Sequence, residues 1–365
     1  MTAIIIGAGA SGLACAVRLK QNMPECEVIV LERMDTPGKK ILATGNGRCN
    51  FSNLCAKHSN IVVDFFNGLG LKERADEEGR LYPYSNQAST VLDTLIESCE
   101  KSGVEIITDC TVTAIDRDLC VTTDCGMYMA DCIVVACGGT AQKNLGSNGS
   151  GYDLLKSIGH KITPICPALV QLTSPSKYPR ALKGQRVKCN MTVLLDGESV
   201  ESEYGEVLFA DYGLSGIVTM NLSHIVSENF ASPDPKKCSV SLDLIPDMSF
   251  EEVLDYLNRF GNLKGILGRK MSDIIIKRTD GDIQSMAKVA KSWQLIINGT
   301  KGYDFAQITE GGADLNDFDD FESKKVKGVY ACGEVLDRQF PCGGFNLNFA
   351  FYSGIAVADK IAGKQ

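Results

Sequence analysis

The stretch Ala3-Ile4-Ile5-Ile6-Gly7-Ala8-Gly9-Ala10-Ser11-Gly12 decides the fold of this chain. Four apolar residues bounded by glycine predict a buried parallel strand, and apolar residues at helical spacing follow from Leu13. The glycines therefore lie at a strand-to-helix turn, where GxGxxG has a mechanism. Gly7 permits the turn, Gly9 lets amides approach a pyrophosphate, and Gly12 lets helix and strand pack closely. The alternative is a glycine-rich turn that only packs.

A second predicted strand, Glu27 to Leu31, ends in an acid, Glu32, twenty residues after Gly12. In dinucleotide-binding units a carboxylate at this place accepts a hydrogen bond from a ribose hydroxyl. Because a carboxylate would repel a 2′-phosphate, the site prefers FAD or NAD to NADP. The predicted nucleotide-binding residues of this unit are Gly7, Gly9, Ala10, Ser11, Gly12, Glu32 and Arg33.

The composition is that of a soluble globular protein. The chain has 365 residues, of which 44% are hydrophobic and 22% charged, and this length predicts two or three domains. The net charge of −8 disfavours broad contact with a nucleic-acid backbone. Neither a signal stretch before the first strand nor a run of eighteen apolar residues occurs. We therefore expect a cytoplasmic protein without membrane or nucleic-acid partners.

The fifteen cysteines are scattered through predicted strands, and no CxxC pair occurs. This usage predicts reduced, mostly buried thiols that act as small apolar side chains. The three histidines, His58, His160 and His224, lie far apart without a cysteine at ligand spacing. The sequence therefore predicts no metal site.

After Glu32 the chain enters a stretch rich in glycine and polar residues, Thr36 to Asn53, which is predicted to be a loop. Its cations and amides suit a diphosphate and a planar ring; the alternative is a solvated surface loop. The predicted cofactor-binding residues here are Lys39, Lys40, Gly45, Gly47, Arg48, Cys49 and Asn50.

This loop resembles the signature of a known family. Gly38-Lys39-Lys40, Gly45-Asn46-Gly47-Arg48-Cys49-Asn50 and Ser52-Asn53 look like the signature of the BaiN/RdsA-type NAD(P)/FAD-dependent oxidoreductases, which are aminoacetone-oxidase-like flavoproteins. Further similar stretches begin at Gly146, Gly205, Ala306 and Gly328, so the resemblance covers roughly the whole chain. It implies that the loop lies along the FAD pyrophosphate beside the isoalloxazine, and that the Val112 backbone lies near the adenine.

The chain departs from the family pattern at five places, one of which is Ala313 in place of a valine. Ala141 to Asn144 stand where relatives carry aromatic residues or proline, and Ile217 replaces a proline. Gln339-Phe340 replaces Asp-Gly, and Phe345 replaces tyrosine. The loss of the phenol removes one possible hydrogen bond near the ring but preserves stacking.

Two later segments return to the predicted cofactor site. The buried strand Cys132 to Cys137 ends in paired glycines, at the edge where ligands bind in open α/β sheets, although a tight turn would explain them equally. A short strand also runs into Gly333-Glu334, which suits the ribityl hydroxyls of a flavin, and a helix whose N-terminus would face the ring follows. The predicted cofactor-binding residues here are Ala136, Gly138, Gly139, Gly333, Glu334, Gly343, Gly344, Phe345 and Asn346.

The predicted fold class is α/β, with a three-layer, Rossmann-like FAD-binding domain that combines a parallel sheet and a β-meander. This domain is discontinuous, 1–163 and 308–365. Residues 164–307 are an inserted domain with a small antiparallel barrel and a helical part, which serves as a substrate lid or as a structural or dimerisation module. Within it, helices are predicted for Phe250 to Phe260, Leu263 to Lys277 and Asp282 to Ile297.

We predict an FAD-dependent oxidoreductase that passes hydride through flavin N5 to or from a small organic substrate. FAD is preferred to NAD because three separated segments must converge on one long ligand. No second GxGxxG unit occurs, so NADH or NADPH would bind transiently over the ring. The resemblance implies reduction of an enone or steroid-like double bond, or amine oxidation. The oligomeric state stays open.

Cys49 and Cys342 are the candidate reactive groups near the ring, with small filler side chains as the alternative interpretation of both. Two other functions remain open at this point, an FAD-dependent tRNA-modifying enzyme and a non-catalytic flavin-binding redox sensor.

Overall fold

Residues 1–364 are described by a computed structural model, and they form two compact units. The first unit is discontinuous and consists of Met1–Ile165 and the segment that begins at Ile308. The second unit is Cys166–Gln307. Among the residues described, no helix has both the length and the apolar content that crossing a membrane requires.

A seven-stranded sheet organises the first unit. Its five parallel strands lie in the order Glu105–Ile107, Glu27–Leu31, Thr2–Ile6, Cys132–Val135, Val329–Ala331, and Glu322–Ser323 and Phe318–Asp319 continue it in antiparallel pairing. Ile6 pairs with both Leu31 and Val135, so the carboxyl ends of the central strands lie at one edge. The chain leaves the first strand in one direction and returns on its other side, which makes this edge the topological switch point. The predicted Rossmann-type fold is confirmed.

Helices cover the sheet because its strands are apolar on both faces, and Ile4 and Ile5 are fully buried. The helix Ala10–Asn22 packs against the last helix, Phe345–Ile361, at a close crossing. The helix Ala88–Ser102 buries Val91, Leu92, Leu95 and Cys99 and ends at Gly103.

Two predicted features of this unit differ in detail. The β-meander consists of Val112–Ile115, Cys120–Thr123 and Met127–Met129, whereas the strand at Glu105–Ile107 belongs to the parallel sheet. The loop from Thr36 is not irregular throughout, because it contains the short helix Lys39–Ala43 and the 3-10 turn Thr44–Gly47. Gly38, in the left-handed region at φ 67°, permits the sharp entry into that helix.

The second unit is built on a seven-stranded antiparallel sheet. Its strands lie in the order Trp293–Ile296, Cys238–Asp243, Arg186–Leu195, Glu198–Phe209, Gly213–Ser215, Leu172–Thr173, Gly299–Thr300. The segment between the first and last of these strands donates to the strands beside both edges, from Ile297 N–H to Cys238 O and from Asn298 N–H to Thr173 O. The two edges therefore meet at this segment and the sheet curls into a barrel.

One prediction for the helical part of this unit is wrong. The helix expected from Asp282 to Ile297 ends at Lys291, and Trp293–Ile296 is a strand. Trp293 and Leu295 are buried while the residues between and after them are exposed, which is the period of two of a half-buried strand. The helix predicted from Phe250 to Phe260 is present with these bounds, and it buries Leu257 while Phe260 is 53% exposed.

The remaining elements connect these layers. In the first unit they are Ser52–Asn53, Ser59–Gly68, Glu73–Ala75, Arg80–Pro83, Lys143–Leu145, Ser150–Ser157, Ile308–Glu310, Leu315–Asp317 and Gly333–Val335. In the second unit they are Cys166–Ala168, Lys177–Ala181, Ile217–Asn221, Ser223–Ala231, Lys264–Thr279 and Ile283–Lys291.

Replacing Gly354 by alanine tests the close crossing of the first and last helices. A Cβ at this position would overlap Ser11 O, a backbone atom that cannot move alone. We expect Gly354→Ala to lower the free energy of unfolding by about 1–3 kcal/mol, the usual cost of overpacking, in urea denaturation.

The matched control is Gly68→Ala. Gly68 is also helical, but a Cβ there would meet no heavy atom within 4 Å. This change should leave stability within about 0.5 kcal/mol or raise it slightly. Equal effects of the two substitutions would contradict the proposed crossing.

Candidate functional site

The glycine turn presents the open end of the first helix. The first hydrogen bond within the helix Ala10–Asn22 runs from Leu13 N–H to Gly9 O at 3.0 Å, so the amides of residues 10–12 have no partner inside the helix. A Cβ at Gly9 would meet no heavy atom within 4 Å. The turn is therefore open on that side, and such helix ends bind phosphate groups.

Gly7 and Gly12, in contrast, are closely packed. Gly7 has φ 107°, and a Cβ on it would lie 2.6 Å from Ala136 O. A Cβ on Gly12 would overlap Gly7 O and lie 3.3 Å from the Ala136 side chain. Both positions exclude any side chain, so the turn, the helix and the neighbouring strand end form one rigid platform.

Glu32 is held by backbone donors at the end of its strand. Its Oε2 accepts from Ala8 N–H at 2.9 Å and its Oε1 accepts from Met34 N–H at 2.9 Å. The side chain is almost fully buried, at 9% exposure. The carboxylate is therefore fixed beside the glycine turn, where its remaining lone pairs suit a ribose hydroxyl.

The three cations that follow Glu32 have different surroundings. Arg33 donates to the carbonyls of Gly146 and Lys143 at 2.9 and 3.1 Å, so it anchors a neighbouring loop. Lys39 pairs with the exposed Asp35. Lys40 reaches the opposite end of the chain and forms a partly buried ion pair with Glu334, at 2.8 Å. Of these three predicted residues, the structure links only Lys40 directly to another predicted segment.

The GRCN loop bends through a series of left-handed residues. Gly45, Asn46, Gly47 and Cys49 all have positive φ. Arg48 is exposed and lies over the ring of Tyr82, with its guanidinium carbon 5.0 Å from the ring centre. Open space surrounds the Cβ position of Gly47, whereas a Cβ on Gly45 would lie 3.0 Å from Asn50 N.

The two cysteine candidates lie in different environments. Cys49 is completely buried, and burial raises the pKa of its thiol to about 12. A thiol with this pKa stays protonated at neutral pH and is a poor nucleophile. Cys342 is partly exposed and lies just before the glycine pair that opens the last helix.

Thr309, which is buried, and Glu334 contact the turn that follows the strand Cys132–Val135. Thr309 Oγ1 accepts from Thr140 N–H at 2.7 Å and Ala141 N–H at 3.0 Å. Glu334 Oε1 accepts from Thr309 N–H at 2.9 Å. A Cβ on Gly139 would lie 2.6 Å from Glu334 Oε1, so the absence of a side chain here leaves room for the Glu334 carboxylate. Gly138, with φ 69°, stands against Ser147 Oγ in the same way.

The C-terminal glycines let the last segment approach the N-terminal ones. A Cβ on Gly333 would lie 2.5 Å from Ser11 Oγ, and a Cβ on Gly344 would overlap Ser52 O. Gly343 O accepts from Asn53 Nδ2 at 2.9 Å. Phe345 begins the last helix directly after these glycines.

Asn346 has a local structural role. Its Oδ1 accepts from Phe340 N–H at 3.0 Å, and its Nδ2 donates to Phe340 O at 2.7 Å. The side chain thus closes the turn before the last helix. Val112 is buried in the meander, two residues after Cys110, whose N–H donates to Glu32 O at 3.0 Å. Its strand therefore lies on the Glu32 side of the site.

Sequence reasoning missed several residues that hold the site together. Thr309 is described above, and Ser52 Oγ donates to Asn348 Oδ1 at 2.7 Å, while Asn348 Nδ2 donates to Lys57 O at 2.8 Å. The available signal was a polar residue on a buried face, since Thr309 and Asn348 interrupt otherwise apolar or glycine-rich stretches. Apart from Glu334, their partners lie 168 to 296 positions away in the chain, so the pairing itself gave no sequence signal.

These contacts bring four distant segments to one edge of the sheet: the glycine turn, the GRCN loop, the strand end at Gly138 and the stretch from Gly333 to Gly344. A dinucleotide with a planar ring fits this arrangement. Open amides and open glycine Cβ positions suit its phosphates, and the fixed Glu32 carboxylate suits its ribose. The fold and the site together define a Rossmann-type flavoprotein.

Comparison with known proteins identifies the family. The family model described as HI0933-like protein Rossmann domain matches residues 1–64 and 56–360, and the chain belongs to this family. It is 32% identical over 397 residues to a 3-dehydro-bile acid delta(4,6)-reductase of Clostridium scindens, covering 96% of each chain. It is 28% identical over 408 residues to a ribosomal RNA dihydrouridine synthase of Escherichia coli, covering 100% of this chain and 98% of that protein.

Solved structures share the fold at low identity. A flavocytochrome c3 fumarate reductase matches 99% of this chain and 78% of its own, with a TM-score of 0.51 and 13% identity. A 3-ketosteroid delta1-dehydrogenase from Sterolibacterium denitrificans matches 99% of both chains, with a TM-score of 0.50 and 11% identity. Membership of this family, together with the 32% identity to a reductase, identifies the chain as an FAD-dependent oxidoreductase.

Replacing Glu32 by glutamine tests the nucleotide end of the site. The variant replaces the buried carboxylate, which accepts from Ala8 N–H and Met34 N–H, with a neutral amide. The amide NH2 group would then face one of these two N–H donors. We expect the dissociation constant of FAD to rise about tenfold or more, in line with about 1.5–3 kcal/mol for a hydrogen bond to a charged group. Flavin fluorescence titration of apoprotein measures it.

Asp35→Asn is the control, because Asp35 is an exposed carboxylate close by in sequence that pairs with Lys39. It should change FAD affinity less than twofold. If both variants bind FAD as the parent protein does, Glu32 has no part in the site. Urea unfolding of the two apoproteins separates lost affinity from lost stability.

Alkylation tests the inertness of Cys49. With a pKa of about 12, its thiolate fraction at pH 8 is roughly one part in ten thousand, and the sulfur is also buried. Iodoacetamide should therefore modify the exposed Cys55 and spare Cys49 in the native protein, as judged by peptide mass spectrometry. Labelling of Cys49 as fast as of Cys55 would restore it as a reactive candidate.

Proposed function

We propose that this protein uses bound FAD to reduce a carbon–carbon double bond conjugated to a carbonyl group in a small organic substrate. The observation that carries this proposal is the 32% identity, over 96% of both chains, to a 3-dehydro-bile acid delta(4,6)-reductase. That name describes saturation of a double bond conjugated to a ketone. FAD bound here would, once reduced, supply the hydride at flavin N5 for such a reaction.

The chain's own residues supply binding and electrostatics. The glycine turn and Glu32 are proposed to hold the two phosphates and the adenosine ribose. The ion pair between Lys40 and Glu334, at 2.8 Å, fixes the two segments expected beside the flavin. The last helix begins at Phe345, and its N-terminus would stabilise negative charge on the nearby side of a reduced ring.

NADH or NADPH is the proposed electron donor. The sequence contains a single GxGxxG unit, so the nicotinamide cofactor has no Rossmann domain of its own. We propose that it would bind transiently over the flavin and supply the hydride that reduces it. The resemblance of the GRCN loop to NAD(P)/FAD-dependent oxidoreductases supports a nicotinamide donor.

A second candidate substrate is a uridine in RNA. The 28% identity over the full chain to a ribosomal RNA dihydrouridine synthase favours it, because that name also describes saturation of a double bond conjugated to a carbonyl. The helix Lys264–Thr279 exposes Lys264, Arg269, Lys270 and Lys277, although Asp273 pairs with two of them. The net charge of −8 disfavours this candidate.

An anaerobic half-reaction experiment tests the proposal. The holoenzyme is titrated with NADH and with NADPH, and bleaching of the flavin absorbance identifies the donor. The reduced enzyme is then mixed with a 3-oxo-4-ene steroid. We expect the flavin to reoxidise and the product to gain two hydrogens, as measured by mass spectrometry.

The matched control substrate is the saturated 3-oxo steroid, which offers the same ketone without the double bond and should leave the flavin reduced. Reoxidation by uridine-containing ribosomal RNA, but not by the enone, would favour the second candidate. A flavin that neither nicotinamide donor reduces would favour a non-catalytic redox sensor.

A further inference from the structure

We propose that Cys110, Asp124 and Cys125 form a binding site for a thiophilic divalent cation such as Zn²⁺. Each of these residues offers one ligand atom, and the three atoms lie within 4.8 Å of one another. Among residues 1–364, this is the only group of three or more histidine, cysteine or acidic residues whose ligand atoms lie this close together. The proposal is independent of the proposed reaction, since these residues are not part of the predicted cofactor site.

The meander brings the three ligands together. Val112 pairs with Thr123 in neighbouring antiparallel strands, and the pairing continues outward. Asp124 N–H donates to Thr111 O at 3.0 Å, and Thr111 N–H donates to Asp124 Oδ1 at 2.9 Å. Cys110 and Cys125 therefore lie just beyond the ends of the two paired strands, one on each side of the hairpin. The hydrogen bonds between Thr111 and Asp124 hold the three residues together in the absence of an ion.

The separations suit a tetrahedral site. Cys125 Sγ lies 3.4 Å from Asp124 Oδ1. Zn–S and Zn–O bonds of about 2.3 and 2.0 Å imply a ligand-to-ligand edge of roughly 3.5 Å in a tetrahedron. An ion can therefore be accommodated with little movement of these two side chains.

The environment also suits such an ion. Cys110 is buried, whereas Asp124 and Cys125 are exposed, so the site is anchored on one side and open to water on the other. Three protein ligands leave the fourth position to a water molecule. Two thiol ligands favour Zn²⁺ or a similarly thiophilic ion over Mg²⁺ or Ca²⁺, which prefer oxygen ligands.

The sequence did not reveal this site because its ligands are not in a short motif. Cys110 and Cys125 are fifteen residues apart, so they form neither a CxxC pair nor a histidine–cysteine motif. Only the hairpin between them makes them neighbours.

Cobalt titration of the holoenzyme tests the site. The protein is purified with a thiol reductant, freed of metal with a chelator, and titrated anaerobically with Co²⁺. Tetrahedral Co²⁺ with thiolate ligands absorbs in the red, beyond the flavin bands. We expect one equivalent of Co²⁺ to produce this absorption and Zn²⁺ to displace it, with Cys125→Ser weakening binding by about 100-fold or more.

Asp124→Asn provides a second variant, and Cys55→Ser is the control because Cys55 is exposed and lies outside the cluster. We expect weaker binding in Asp124→Asn and unchanged binding in Cys55→Ser. Absence of the red absorption, equal binding by Cys125→Ser and the parent, or a Cys110–Cys125 disulfide in the anaerobically prepared protein would each overturn the proposal.

Discussion

The structure depends on one steric constraint, the approach of backbone to backbone around the start of the first helix. Gly12 packs on Gly7 O, Gly354 packs on Ser11 O, and Gly333 packs on Ser11 Oγ. A side chain at any of these glycines would push one segment away. These close contacts all lie on the side of the helix start that is packed against the protein. The first amides of the helix therefore stay open on the side of Gly9. The open helix end and the tight packing behind it are thus two aspects of one arrangement.

Polar contacts then fix the loops that steric packing leaves free. The Lys40–Glu334 ion pair joins residues almost three hundred positions apart, and Thr309 ties the same acid to the strand end near Gly139. Glu334 is thereby held by a cation on one oxygen and an amide on the other. Such a doubly bound, partly buried carboxylate is a stable support for the segments that it joins.

The many cysteines illustrate how burial sets chemistry. Cys15, Cys49 and Cys332 are fully buried, and burial raises the pKa of each thiol. These sulfurs act as small apolar side chains, as the sequence indicates. The pair Cys110 and Cys125 differs, because an exposed carboxylate and an exposed thiol join a buried thiol in one cluster. Identical residue types therefore serve packing in one place and offer ligands in another.

The sequence by itself determined the first unit well, because the relevant signals are local. The apolar run, the glycine spacing and the acid after Glu27–Leu31 fix the strand–turn–helix–strand unit, and the family resemblance extended it to the whole chain. Local signals did not predict the boundary between a helix and the strand that directly follows it when no glycine or proline separates the two elements. The helix expected through Ile297 gives way to a strand at Trp293, because pairing with Cys238–Asp243 buries its alternate residues.

Only the tertiary structure decided which predicted residues meet. Lys40 reaches Glu334, whereas Lys39, its neighbour, pairs with the exposed Asp35. Nothing in the local pattern separates the two lysines, because their environments come from segments far away in the chain. The same reason explains Thr309, Asn348 and the Cys110–Cys125 cluster, whose partners are set by sheet order and hairpin register. Local backbone preferences fix elements, but packing between distant elements decides which side chains share a site.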